Sequence, residues 1–254
     1  MRFSGLLSAV VLLFSIALPT HADERWVSLN QCVDQLLQRW APEQLAGITY
    51  LSGADIDKPT HNGTLESVLA LKPDRVVATQ FSDAKLVARL RDYVPVTVLP
   101  QPQSWSAYQQ WLAQLAELGL TEQVVQHQHE TEKALTRLAQ QPQDVVMVMP
   151  NQWSWGRNTW ANALIERLNW RNQTATLGSG LVALQLEQLI QWQPDRVILE
   201  GFSGQTFALA NQWQRHPLMQ RWLEQQRVMV IDSATAACPV VNIGNYLERL
   251  GAEQ

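Results

Sequence analysis

The sequence predicts an α/β protein: two parallel-sheet lobes joined by a single long backbone helix, with a ligand cleft between the lobes. Three observations carry that prediction. Short β-branched runs alternate with amphipathic helical patterns, the signature of parallel α/β units. One helix-turn-strand segment occurs twice, at 64–78 and again at 185–199. A long, mostly polar helical stretch lies between the two copies.

The chain opens with Met1-Arg2 and an apolar run over 6–18, followed by Thr20-His21-Ala22. A short positive start, an apolar stretch and small residues before a cleavage point form a secretory signal peptide, here 1–22, with the mature chain starting at Asp23. The run is shorter than the roughly 20 residues a transmembrane helix needs. Cys32 follows Leu29-Asn30-Gln31, which lacks the small residues of a lipid-attachment site. The formal net charge is −4, and losing Arg2 makes it one unit more negative. A mildly acidic chain without a basic patch presents no electrostatic footprint for nucleic acid or anionic lipid. No later segment is apolar enough to span a bilayer.

The N-terminal lobe, 23–120, carries strand patterns at 26–29, 46–49, 75–78 and 96–99. A helix with neither Gly nor Pro follows at 121–141, placed within a connecting unit 121–142. Its apolar positions are sparse (Val124, Val125, Leu135 and Leu138), so it reads as a strut between lobes. The C-terminal lobe, 143–254, carries strands at 145–149, 196–199 and 228–231. The eleven Trp are expected mainly in the core or interfaces, with some lining a pocket.

The repeat is explicit. Thr64-Leu-Glu-Ser-Val-Leu-Ala-Leu-Lys-Pro-Asp-Arg-Val-Val-Ala returns as Gln185-Leu-Glu-Gln-Leu-Ile-Gln-Trp-Gln-Pro-Asp-Arg-Val-Ile-Leu. Glu66, Pro73, Asp74 and Arg75 match Glu187, Pro194, Asp195 and Arg196. In each copy a short helix lays Leu and Val onto a sheet, Pro-Asp stops it, and a buried strand follows. Each Glu sits in the first helical turn, where the dipole favours a carboxylate. Two copies flanking a polar helix describe two related lobes, and a cleft between lobes is a usual small-molecule site.

Together with the opening Trp26-Val-Ser-Leu-Asn30, these segments resemble the helical-backbone periplasmic binding proteins that serve ABC importers for iron-siderophores, haem and cobalamin. The resemblance spans the whole mature chain and includes the cobalamin-binding member. It implies two lobes on a rigid helix, little hinge closure, and a periplasmic monomer that delivers a small metal chelate to a permease dimer in the inner membrane. It also implies that Glu66 and Glu187, one per lobe, dock on permease arginines. The dipole reading of these glutamates stands beside that one, and Gln185 is a weaker N-cap than Thr64.

Candidate ligand contacts lie in loops after strands: Asn30, Gln31 and Cys32 in the first lobe, Phe81 after its third strand, then Asn151, Trp153, Trp155, Arg157 and Asn158, and finally Phe202 and Cys238. The stretch Trp153-Ser-Trp-Gly-Arg-Asn158 interleaves indoles with polar groups, which suits a planar or macrocyclic ligand. Packing of the same indoles onto the lobe is the alternative. Anionic siderophores call for several basic groups. The loops offer chiefly Arg157, with Lys58 and Lys85, so amides and aromatics tilt the reading toward a weakly charged chelate or a corrinoid. In the family's fold the loops of Cys32 and Cys238 both face the cleft. A disulfide, two reduced thiols, or a Cys238 simply buried beside Pro239 are the three options. His127 and His129 point to different faces of one helix, and His61 and His216 stand alone, so no metal site of the protein's own is expected and no cofactor. No nucleophile elbow, phosphate loop or dinucleotide fingerprint occurs, so catalysis is not expected. An adaptor or chaperone with the same fold and no small ligand is the main alternative function.

Overall fold

The computed structural model describes residues 24–52, 54–139, 141–202 and 215–251. The expected signal segment falls outside them.

The first sheet has five parallel strands in the order β3-β2-β1-β4-β5. They are β1 (Trp26–Ser28), β2 (Leu45–Thr49), β3 (Thr60–His61), β4 (Arg75–Thr79) and β5 (Val96–Leu99). Helices α1 (Gln31–Trp40), α2 (Leu65–Leu69), α3 (Ala84–Leu90) and α4 (Trp105–Glu117) connect them or follow them. The strut α5 (Thr121–Leu138) comes next. The second sheet takes β6 (Asp144–Val148), β8 (Arg171–Asn172), β10 (Arg196–Phe202) and β11 (Val228–Asp232), all parallel, in the order β11-β10-β6-β8. Between its strands run β7 (Trp153–Trp155), α6 (Trp160–Arg167), β9 (Leu181–Ala183) and α7 (Leu186–Trp192). The lobe then adds α8 (Pro217–Glu224), α9 (Ser233–Ala237) and α10 (Ile243–Gly251). All seven sequence-predicted strands are present. Trp153–Trp155, expected as loop, is instead a strand of a two-stranded antiparallel ribbon with β9.

The repeat explains itself in hydrogen bonds. Lys72 and Gln193 occupy equivalent positions before Pro, and both turn left-handed, at φ 51° and 47°, ending their helices. Asp74 then accepts from the Arg25 N–H at 2.8 Å while its own N–H donates to the Arg25 carbonyl. Asp195 forms the same pair with Asp144, with its carboxylate accepting from that N–H at 2.7 Å. Each aspartate thus pins the central strand, β4 or β10, to its neighbour at the point of entry. Pro stops the helix and Asp sets the register.

The strut is about 27 Å long at 1.5 Å per residue over its 18 residues. It buries Val124, Thr131, Leu135 and Leu138 and leaves Val125 in solvent. It packs on α4 from one lobe and on α10 from the other. His127 is wedged between Trp40 and the Tyr108 hydroxyl, which lies 2.6 Å from its Nε2. Burial and the nearby Arg39 hold its imidazole neutral, with the pKa pulled down to about 4. Trp160 of α6 stacks on Trp105 of α4 at 6.0 Å and 10°. One continuous apolar cluster runs from Trp26 and Leu36 through Leu135 to Met147, Leu164 and Tyr246, so the lobes share a core. Apolar interfaces of that kind resist rigid-body motion of the halves.

Candidate functional site

A cavity of about 730 Å³ opens between the lobes, at the C-terminal ends of the strands. In open parallel sheets that edge is where ligands bind, because loops fan out there. Its first wall carries Leu29, Asn30, Gln31, Cys32, Leu51, Thr79, Phe81, Ser82, Asp83, Gln101, Pro102 and Gln103. Its second carries Trp155, Asn158, Thr159, Trp160, Ala161, Gly180, Glu200, Ala236, Ala237 and Pro239. Another hollow, of about 440 Å³, lies at the opposite strand ends around the Asp144–Arg171 ion pair.

Six of the sequence candidates meet in the inter-lobe cavity: Asn30, Gln31, Cys32, Phe81, Trp155 and Asn158. Asn30 N-caps α1, accepting from the Cys32 N–H at 2.9 Å, which fixes the loop after β1. Phe81 stands 71% exposed beside the opening, and Leu51 stands 59% exposed. Such unburied aromatic and aliphatic area at the mouth of a cleft is available to a ligand. Asn158 donates to Ser179 Oγ at 2.9 Å, holding the turn before α6.

Four candidates are placed elsewhere. Trp153 projects from the outer face of the β7–β9 ribbon, and Asn151 occupies the left-handed turn before it, at φ 60°. Arg157 reaches the Ala175 carbonyl at 2.6 Å and lines an adjoining hollow with Arg167 and Glu166. Cys238 is buried and joined to Cys32 in a disulfide, with Cα atoms 5.3 Å apart, so it holds the wall rather than lining it. Beside this link Arg39 of α1 donates to Asn242 Oδ1 at 2.9 Å, and the Asn242 amide donates to Gln35, clasping the lobes a second time. Phe202 ends β10, and its side chain lies outside the described residues. Lys58 reaches the Pro42 carbonyl at 2.9 Å, and Lys85 is not among the lining residues.

Among the lining residues that sequence reasoning missed, Glu200 stands apart. Glu200, near the end of β10, lines the cavity yet is only 3% exposed. Trp155 Nε1–H donates to its Oε2, and the Tyr246 hydroxyl donates to its Oε1 at 3.3 Å. Burial raises its pKa to about 7, against the lowering effect of these two bonds. The Tyr246 hydroxyl is pushed far upward by burial and by that carboxyl, so it stays a donor. The available signal was a carboxylate ending an otherwise apolar run, Val197-Ile-Leu-Glu200. Asp83, on the first wall, N-caps α3 through bonds from Lys85 and Leu86, which lower its pKa and keep it charged.

Glu66 and Glu187 lie on exposed first turns of α2 and α7. Glu66 sits 3.9 Å from Arg89, both well exposed, an ion pair of little energetic weight. Thr64 and Ser67 cap α2 reciprocally, at 3.3 and 3.2 Å. In α7 Gln188 accepts from the Gln185 N–H at 2.8 Å, so an amide at the third helical position compensates for the weaker cap.

No helix among the described residues is long and apolar enough to cross a membrane. Sequence comparison finds no match among curated proteins. Solved structures share the fold. A possible iron-binding (periplasmic solute-binding) protein from Staphylococcus epidermidis is 18% identical over 91% of this chain and 98% of its own, with a TM-score of 0.71. The periplasmic haem-binding protein HutB of Vibrio cholerae is 16% identical over 91% and 99%, with a TM-score of 0.70. The vitamin B12 binding protein BtuF of Vibrio cholerae is 14% identical over 91% and 96%, with a TM-score of 0.66. At these identities the likeness establishes the architecture: two parallel-sheet lobes on one backbone helix. The family model described as periplasmic binding protein matches residues 27–234, which is most of the chain, and the protein therefore belongs to the periplasmic binding protein family.

Proposed function

We propose that the protein is the solute-binding component of an ABC importer, and that its ligand is a small metal chelate of the iron-siderophore or corrinoid class. The observation that carries this reading is the cavity of about 730 Å³ between the lobes, with an aromatic and amide-rich lining. That volume is in the range of small-molecule sites, and the mix of apolar area with a few polar anchors is what such sites use. Structural relatives are described as iron-, haem- and vitamin B12-binding. Membership in a binding-protein family favours capture over catalysis.

The finer parts of the reading belong together. Residues 1–22 direct export and are cleaved, releasing a monomer into the periplasm. Its units are 23–120, 121–142 and 143–254. The bound chelate, not the protein, supplies any metal. Glu66 and Glu187, equivalent in the two repeats, engage arginines of a permease dimer, since carboxylate–Arg pairs fix orientation as well as attraction.

The test is quenching of Trp fluorescence on titration with ferric siderophores, haem and cobalamin, alongside native mass spectrometry of protein isolated from the periplasm. Saturable binding of one chelate at micromolar concentration or below is expected. No bound small molecule in either measurement overturns the reading and leaves the adaptor alternative.

A further inference from the structure

The charge around the cavity is one-sided. Among the described residues its lining holds two carboxylates, Asp83 and Glu200, and no Lys or Arg. Arg157 is turned to the Ala175 carbonyl, outside this lining. Glu200 is the unusual member, because a buried carboxyl normally has a cationic partner. Here it meets two neutral donors, Trp155 and Tyr246, one on each oxygen. A carboxylate has about four acceptor sites, so each oxygen retains capacity for another donor. The residue itself borders the cavity, so a ligand can approach it.

Building on the chelate-binding reading, we propose that Glu200 is a specificity-determining residue that recognises a positively charged N–H group, a protonated amine, on the ligand. A cation seated there supplies the missing countercharge in a site where burial has already weakened solvent screening. A neutral ligand of the same shape leaves the carboxyl uncompensated, and an anionic one adds repulsion from both Glu200 and Asp83. Burial is also what raises the Glu200 pKa to about 7, against the lowering by its bonds from Trp155 and Tyr246. Trp155 has a positioning part. Its indole N–H holds one carboxylate oxygen while its ring forms the wall above it. The cavity therefore discriminates by charge at one end and by aromatic and amide contact at the other.

The test is calorimetric titration of the wild-type protein with four probes: ferrioxamine B, a hydroxamate chelate with a protonated amine tail; its N-acetyl derivative, which keeps the chelate and loses the charge; cyanocobalamin; and haemin. The expected result is binding of ferrioxamine B at least tenfold tighter than its acetylated form. Glu200→Gln should shrink that preference to threefold or less. Gln can still accept from Trp155 and donate to Tyr246, so the floor stays satisfied. Equal or tighter binding of the acetylated form, or a preference that survives E200Q, overturns the assignment of Glu200. So does binding of cyanocobalamin or haemin without ferrioxamine B, although that outcome leaves the chelate-binding reading intact. If none of the four binds, the chelate-binding reading falls and the proposal with it. The wild-type comparison needs no variant, so a failure of E200Q to fold does not shield the proposal.

Discussion

On the first wall of the cleft the polar groups lining the cavity are Asn30, Gln31, Thr79, Ser82, Asp83, Gln101 and Gln103, all at least partly exposed and set at or just beyond the ends of β1, β4 and β5. The second wall is built differently. Its polar anchor, Glu200, is on a strand, buried, and held by Trp155 from the ribbon and Tyr246 from α10. Both walls are built on the same helix–Pro-Asp–strand unit, and β4 and β10 hold equivalent places in their sheets, each one strand in from an edge. The equivalent of Glu200 in the first wall is Thr79, whose hydroxyl is spent locally on the Phe81 N–H at 3.2 Å. The repeat supplies two similar frames. They differ at the matched position, Thr79 in β4 and Glu200 in β10, so one wall is an adaptable surface and the other carries a fixed, buried carboxyl.

The largest expected effect comes from unfastening the walls. Replacing Cys32 and Cys238 by Ser opens a ring with a sequence separation of 206 residues. The chain-entropy model puts that loss at about 5 kcal/mol, or roughly 10–20 °C in Tm for a chain of this size. Thermal unfolding of oxidised protein, reduced protein and the double variant checks it. A shift below 3 °C would mean that the Arg39–Asn242 clasp and the shared core hold the lobes without the covalent link.

The second effect separates the charged seat from the neutral strut by pH. Glu200 has a folded pKa of about 7 against an ordinary 4.5. The folded state thus holds this proton more tightly, and stability falls as pH rises from about 4.5 to about 7. His127 has the opposite sign. Its folded pKa is near 4 against 6.5, so stability falls as pH drops through that window. Between about 4.5 and 6.5 the two slopes oppose each other. Glu200→Gln is expected to be more stable than wild type at pH 8 by roughly 2–3 kcal/mol and equal to it at pH 4, on the scale of 1.4 kcal/mol per pKa unit. Denaturant midpoints at pH 4, 6 and 8 measure both slopes. Equal midpoints for the variant and wild type at pH 8 would show that solvent already reaches the carboxyl.

Next come the contacts to ligand. Trp155→Ala should weaken affinity for the best chelate by about 1–3 kcal/mol, because it removes a half-buried ring and frees Glu200. Phe81→Ala should cost less, about 1 kcal/mol, and should leave stability within about 0.5 kcal/mol, since the ring is exposed before binding. Titrations with the wild-type ligand rank the two. A larger loss at Phe81 would reverse the assignment of fixed and adaptable walls.

The smallest effect on binding belongs to Glu66→Ala and Glu187→Ala. Both side chains are exposed and away from the cavity, so ligand affinity and Tm are expected to stay unchanged. Uptake in cells should drop for each and disappear for the pair. Normal uptake by the double variant would leave only the helix-dipole explanation.

The fold was largely legible because parallel strands buried on both faces read as β-branched runs, and because the repeat exposed the lobe symmetry. The pieces that escaped, β3, β7, β8 and β9, are two or three residues long and have no periodicity to detect. Their existence depends on partners far along the chain, as Trp155 depends on Leu181. The loop residues Asn30, Gln31, Phe81 and Asn158 were legible as cleft candidates because strand ends define where loops converge. Glu200 was not, since a carboxylate at a strand exit ordinarily turns to solvent. Its burial is a property of Tyr246, which arrives from the final helix.

The disulfide also changes the topology of the polypeptide. The chain passes between lobes through the strut, and the Cys32–Cys238 bond closes that passage into a covalent ring. A protease cut within the ring does not produce two molecules. Cleavage at the exposed Lys133 or Arg137 of the strut would leave both fragments tethered, migrating as one species until a reductant separates them.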